Sequence, residues 1–197
     1  MDFVHLHVHS HYSLLDGACR LDELARAAII NQMPALAVTD HGNLFAAVKF
    51  YNEMKNTGVV KPIIGYEAYV ARGDRRNREP TGTKDAGYHL TTLAMNETGY
   101  RNLIKLASRA YLDGFYRKPR IDRELLSQHH EGIIVLSGCA SSELNHHLLS
   151  GDRASAEDTA RWYKDLLGDR FCIELQDNNL PVQKQCLAAA VEIARKL

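Results

Sequence analysis

The sequence predicts one α/β domain, on three observations. Six short β-like runs alternate with longer amphipathic helical runs, a pattern that implies βαβ units and parallel pairing. The 197 residues suffice for one domain with a buried core. Apolar residues make up 45% and charged residues 24%, near the globular average, which excludes disorder. A complete eight-unit barrel typically needs about 250 residues. Spacing alone therefore leaves an open sheet or the front part of a smaller or distorted barrel.

The elements follow in order. Phe3–His9 reads as the first strand. Leu21–Gln32 reads as a helix with Leu21, Leu24, Ala25, Ala28 and Ile29 on one face, stopped by Pro34. Ala35–Thr39 is a short buried strand, and Asp40-His41-Gly42-Asn43 a turn. Leu44–Thr57 is a second helix closed by Gly58, and Lys61–Ala71 the third strand. Arg72–Gly87, rich in Gly, Pro and charge, reads as a mobile loop. Tyr88–Met95 is a strand, Thr98–Tyr111 a helix, and Asp113–Arg123 an irregular aromatic and basic connection. Ile133–Ser137 and Phe171–Gln176 are the last strands, with a helix at Ala154–Leu167 between them. Pro181 opens the final helix, Val182–Leu197.

Lys+Arg and Asp+Glu both number 24, so no strong basic field marks a dedicated nucleic-acid-binding domain. No apolar run approaches the roughly 20 residues of a membrane span. The N-terminus lacks the basic region and cleavage site of a signal peptide, so a cytoplasmic location without a membrane partner is expected. Cys19, Cys139, Cys172 and Cys186 form no CxxC pair and no disulfide framework. Neither GxxxxGK[ST] nor GxSxG occurs.

The unusual count is ten histidines, with His5, His7, His9 and His11 inside HLHVHSHYS. On a strand they share one face, and each ring needs partners for two nitrogens. Such crowding points to metal, since imidazole suits borderline ions. Asp16 follows the first strand, Asp40-His41 the second and Cys139 the fifth. Glu67, His89 and Glu174 lie in the third, fourth and sixth. Carboxylates, imidazoles and a thiolate from successive strand ends suit a multinuclear site, because carboxylates bridge ions. Singly, Asp16 and Asp40 also read as turn caps, and Cys139 as a small buried hydrophobe. Ser10 and Ser13 beside the imidazoles suggest a nucleophile, but such crowding suits metal better. In 101–123, Arg109, Arg117, Lys118 and Arg120 interleave with Tyr111, Phe115 and Tyr116. That mix reads either as a nucleic-acid track or as a solvated helix face beside a packed aromatic loop.

At HLHVHSHYSLLDGA, TDHGNLFAAVKFY, KPIIGYEAYVA, LSGCASSEL, DGFYRKPRID and FCIELQDNNLPVQ the chain resembles the polymerase-and-histidinol-phosphatase (PHP) domain family. The branch it resembles stands at the N-terminus of bacterial DNA polymerase III α subunits. His5 sits where stand-alone members usually carry Asp, which favours that branch. The resemblance implies a distorted, TIM-like (β/α)₇ barrel, here lacking its last strand or strands. It implies a trinuclear metal cluster held by His7, His9, Asp16, His41, Glu67, His89 and Cys139. His7, His9, Asp16 and Glu67 would activate water through the metal, with His5 and Asp40 behind the ligands, Asp40 orienting a histidine. Up to three divalent ions are implied, zinc or manganese first, then iron or magnesium. Two further ligands, an Asp-x-His, are expected past Leu197, the chain being an N-terminal piece of a longer polymerase. A familiar His-Gly after ELQ-x is replaced by Asn178-Asn179.

The implied activity is a phosphoesterase trimming DNA 3′ ends, a 3′–5′ exonuclease within a nucleotidyltransferase that replicates DNA. The alternative is a non-catalytic, metal-stabilised scaffold that supports the polymerase and docks its proofreading subunit. Implied partners are DNA, the proofreading exonuclease subunit and the remaining holoenzyme subunits. A metal-dependent amidohydrolase also begins with HxH, but the TDHG and GYE contexts argue against it.

Overall fold

Helix α1 (Leu21–Ile30) buries Leu21, Ala25 and Ala28, one stripe at helical spacing, against strand β1 (Ala35–Val38). Helix α2 (Ala47–Thr57) adds Phe50 and Met54 to the same cluster and ends at Gly58, whose φ of 72° closes it. The long strand β2 (Lys61–Val70) follows, then β3 (Tyr88–Ala94) and helix α3 (Glu97–Leu112), capped by the Asn96 side chain. A short hairpin, β4 (Phe115–Tyr116) and β5 (Lys118–Ile121), leads into α4 (Arg123–Gln128). Strand β6 (Ile133–Leu136), helices α5 (Glu143–Leu149) and α6 (Arg153–Leu167), β7 (Phe171–Cys172) and α7 (Pro181–Lys196) complete the order. This computed structural model describes residues 3–79 and 87–197.

The seven strands form one open sheet in the order β4-β5-β2-β3-β6-β7, with β1 also on β2. The pairings β1/β2, β2/β5 and β6/β7 are parallel, but β2/β3, β3/β6 and β4/β5 are antiparallel. The parallel pairing read from strand–helix alternation thus holds for three of the six pairings among the described residues and is corrected for the other three. Strand β3 runs against both neighbours, and no helix occurs in the described part of the β2–β3 connection to carry the chain back. Residues 3–9 form no strand either. They run beside β1, which donates to them from Ala37 N to His5 O (3.0 Å) and from Thr39 N to Val8 O (2.8 Å).

Side chains alternate across a strand, so β2 has two different faces. Tyr66, Ala68 and Val70 enter the large core with Leu90, Leu103, Leu106, Leu125 and Ile133. The opposite face carries Gly65, Glu67 and Tyr69, whose partners on β3 are Leu93, Thr91 and His89. Ala37, Leu93 and Leu136 form a small apolar floor on that side. Above this floor the face turns polar.

The reading of 72–87 as mobile is corrected for its described half. Arg75 is buried and bonds Asp122 at 3.0 and 3.1 Å and Asp113 at 3.3 and 3.4 Å. Residues 80–86 lie outside the described residues.

Candidate metal centre

Glu67 is the hub. It is 1% exposed in the middle of β2, where an unpaired carboxylate would be costly. Oε1 lies 3.3 Å from His7 Nε2 and 3.0 Å from His89 Nδ1. Oε2 lies 3.5 Å from His9 Nε2 and in close contact with His41 Nδ1. Cys139 Sγ is 3.5 Å from Oε1 and 3.7 Å from His89 Nδ1.

Local structure delivers each group. His7 and His9 ride on the segment beside β1. His41 pairs with Glu67 in an isolated parallel bridge just past β1, in a turn that Gly42 completes at φ 63° while donating to Glu67 O at 2.8 Å. His89 opens β3 opposite Tyr69. Gly138, at φ 86°, sets Cys139 close to β3; a Cβ there would stand 2.7 Å from His89 O. Asp16 lies at the rim with its carboxylate 2.9 Å from His41 Nε2. The His9 and His41 rings stack at 4.0 Å, and His89 meets His41 edge-on at 5.2 Å.

Behind His7 stands Glu174, accepting at 2.6 Å from Nδ1 and held by Thr91 Oγ1 (3.2 Å) and Gln176 Nε2 (2.6 Å). Sequence reasoning named Glu174 as a strand-end candidate but missed Thr91 and Gln176. Each sits two residues from a candidate, and strand periodicity would have flagged Thr91 beside His89.

All seven candidate ligands, His7, His9, Asp16, His41, Glu67, His89 and Cys139, surround this one carboxylate or its immediate neighbours. The remaining sequence-named residues fall elsewhere. His5 is exposed, its ring edge-on to Phe3 at 4.8 Å, and His11 turns to Cys19 O and the Tyr12 ring. The segment's irregular backbone breaks the single histidine face expected of a strand. Among the described residues Asp40 contacts no imidazole. It accepts from Ser10 N (2.7 Å), Ser10 Oγ (2.8 Å) and Ser13 Oγ (2.7 Å), so it clamps the loop, and the two serines are structural. Arg120 is buried and donates to Gly114, Arg75 and Asn77 carbonyls, which removes it from any nucleic-acid track. Arg109 pairs with Asp113 at 2.7 Å. Arg117 and Lys118 line an open groove that reaches the cluster.

Electrostatics follow from this packing. Burial disfavours the His7 cation, but hydrogen bonds to Glu174 and Glu67 outweigh it and raise His7 to about 10. Burial lowers His9, whereas His41 is raised because Glu67 and Asp16 outweigh its burial. Burial alone would raise Glu67, yet hydrogen bonds from His41, His7 and His89 hold it far below the carboxylate range. Burial, then the Glu67 charge, pushes Cys139 up to about 12. The folded state therefore binds the His7 proton more tightly than the unfolded chain, whose value is 6.5. That contribution is complete below pH 6.5 and is lost as pH rises toward about 10. The metal-free protein is expected to show a falling urea midpoint across this window, with a shallower fall in His7→Gln. A slope unchanged by that substitution would contradict the pairing.

The donor set fits metal. His7, His9 and Glu67 form one group and His41, Glu67 and His89 another, each with its ligand atoms within 4.8 Å of one another. His9 Nδ1 is buried without a hydrogen-bond partner among the described residues. A carboxylate shared by two imidazole sets is a bridging arrangement, and the adjacent thiol suits a borderline ion.

The PHP domain family model matches residues 5–178. DNA polymerase III subunit alpha of Thermus aquaticus is 52% identical across 100% of this chain, and that of Deinococcus radiodurans 50% across 93%. The same subunit of Treponema pallidum is 49% identical across 100%. The chain spans only 16%, 14% and 17% of the lengths of these relatives. A solved structure of a candidate metal-dependent phosphoesterase from Bifidobacterium adolescentis is 12% identical, with a TM-score of 0.37 over 54% of this chain and 32% of that one. So partial a likeness carries no argument. Among the described residues no helix is long and apolar enough to cross a membrane. The matched stretch contains His7, His9, Asp16, His41, Glu67, His89 and Cys139 alike, and the chain belongs to the PHP domain family.

Proposed function

We propose that this chain serves as the PHP domain of a bacterial replicative polymerase α subunit and that its cluster hydrolyses phosphoesters at DNA 3′ ends. The supporting observation is Glu67, a buried carboxylate whose two oxygens each face two imidazoles. Divalent ions, zinc or manganese by donor chemistry and up to three in number, would supply Lewis-acid charge and lower the pKa of water. His7 and His9 would hold one ion and His41 and His89 a neighbour, with Glu67 between. Cys139 would close the inner side and Asp16 the rim. On this reading the open sheet is the wall of a distorted (β/α)₇ barrel, with residues 3–9 in the place of its first strand. DNA and the other holoenzyme subunits are the corresponding partners.

Glu174 has a positioning role. By accepting from Nδ1 it fixes the His7 tautomer and leaves Nε2 facing Glu67. Glu174→Gln is expected to weaken metal affinity by about 10–100-fold, measured by competition with a chromogenic chelator. An unchanged affinity would remove Glu174 from the centre's support.

The test of function is metal content together with nucleotide release from a labelled 3′ end, on the full-length chain. Release that stops in His9→Ala while polymerisation persists is the expected result. Metal bound with no release would instead leave the scaffold role, supporting the polymerase and docking the proofreading subunit.

A further inference from the structure

An open groove of about 540 Å³ runs outward from the cluster, with Asp16, His41 and His89 at its inner end. It is also lined by a row of three rings. Phe45 lies 6.5 Å from Tyr111, and Tyr111 lies 6.1 Å from Phe115 with the two planes 29° apart. These rings are not core: Phe45 is 66%, Phe115 47% and Tyr111 42% exposed. Rings left in water at such proximity keep their faces available for stacking. Two cations line the same groove. Lys118 Nζ sits 5.4 Å above the Tyr69 ring, and Tyr69 in turn lies 5.1 Å from the His89 ring. Arg117 is exposed in the left-handed region at φ 61°, its guanidinium 5.6 Å from the Tyr116 ring.

We propose that this groove seats an unpaired nucleotide at the end of a strand, its base on the Phe45–Tyr111–Phe115 row and its phosphate beside Lys118. The proposal rests on the phosphoester reading of the cluster and specifies which ends reach it. Three features favour nucleic acid over a protein occupant. The rings offer π-faces, which stack on any base. Lys118 stands over the Tyr69 ring, which abuts His89, so a cation lies beside the cluster where a backbone phosphate would pass. The inner end opens on the cluster proposed above as the hydrolytic centre. A paired base has its faces covered by the duplex stack, whereas an unpaired one is free to lie on the row. The groove would therefore select single-stranded or frayed termini.

The experiment uses the full-length chain and a single-stranded oligonucleotide whose last base is 5-iodouracil, irradiated and mapped by mass spectrometry. Adducts are expected on Phe45, Tyr111 or Phe115. In parallel, steady-state release of nucleotides is measured for Phe45→Ala, Phe115→Ala and Lys118→Gln. KM is expected to rise roughly tenfold per ring removed, in line with base–aromatic stacking, with metal content unchanged. Phe115→Tyr, which keeps the ring, is expected to restore most of the KM lost in Phe115→Ala and so separates stacking from folding. Mapping that leaves the row without adducts overturns the proposal, as does release whose KM ignores the loss of the rings. Adducts on the row in a parent that releases no nucleotide leave the groove standing and sink the hydrolytic reading instead. Rings already shielded by protein in the absence of DNA, read by hydroxyl-radical footprinting, would also overturn it.

Discussion

Glu67→Gln is expected to reduce metal affinity by more than the roughly 10–100-fold typical of a supporting group, and to abolish any hydrolysis. The amide keeps the volume of the carboxylate but removes its charge and places a donor against imidazoles. Each Glu67 oxygen faces two imidazoles, so no orientation of the amide satisfies both sets. The loss of charge also withdraws support from the His7 and His41 cations. Isothermal titration with zinc and with manganese, on parent and variant, reads the effect. A variant that binds both ions as tightly as the parent would show that Glu67 bridges nothing.

Asp122→Ala is expected to destabilise the protein by about 3–5 kcal/mol, the usual result of breaking a buried ion pair from one side. For a domain of this size that lowers the melting temperature by roughly 6–20 °C. Asp122 accepts from the Arg75 guanidinium and from Arg75 N (3.0 Å), and its Oδ1 caps α4 by accepting from Leu125 N at 2.9 Å. Arg120 adds bonds to the carbonyls of Arg75 and Asn77, so one network ties the strand exit to β5 and α4. Asp122→Asn keeps a cap oxygen and drops the charge, and a cap alone contributes about 1 kcal/mol. The difference between the two variants separates cap from ion pair. A loss below about 1 kcal/mol in Asp122→Ala would mean that the network is ornamental.

Much of this was legible in the sequence, because the informative patterns were local. Helices α1, α2, α3, α6 and α7 announce themselves by apolar spacing and by Gly58 and Pro181 at their ends. The candidate ligands were legible by residue type and place: imidazoles crowded into 5–11, a carboxylate inside the aliphatic run of β2, and His41 and Cys139 just past β1 and β6. Direction was not: alternation of side chains is the same in a parallel and an antiparallel strand, so the reversal of β3 left no mark. Long-range polar partners were equally silent. Arg75 looks like part of a charged loop until Asp122, 47 positions away, is seen beside it. Arg120 resembles its exposed neighbours by type, and only burial shows that its guanidinium holds backbone. The four-residue β5 and the short α4 and α5 carry too few turns for periodicity to register.

The contact between His7 and Glu174 joins residues 167 positions apart, and it carries a consequence for biogenesis. A ribosome adding about 5–20 residues per second needs roughly 10–30 s to travel from one to the other. For that long after His7 emerges, the carboxylate that accepts from its ring has yet to emerge. If the cluster holds metal as proposed, an ion met early would find only a partial set of donors, and durable loading would wait for Cys139 and Glu174, so metal retention by a ribosome-bound chain would mark their arrival.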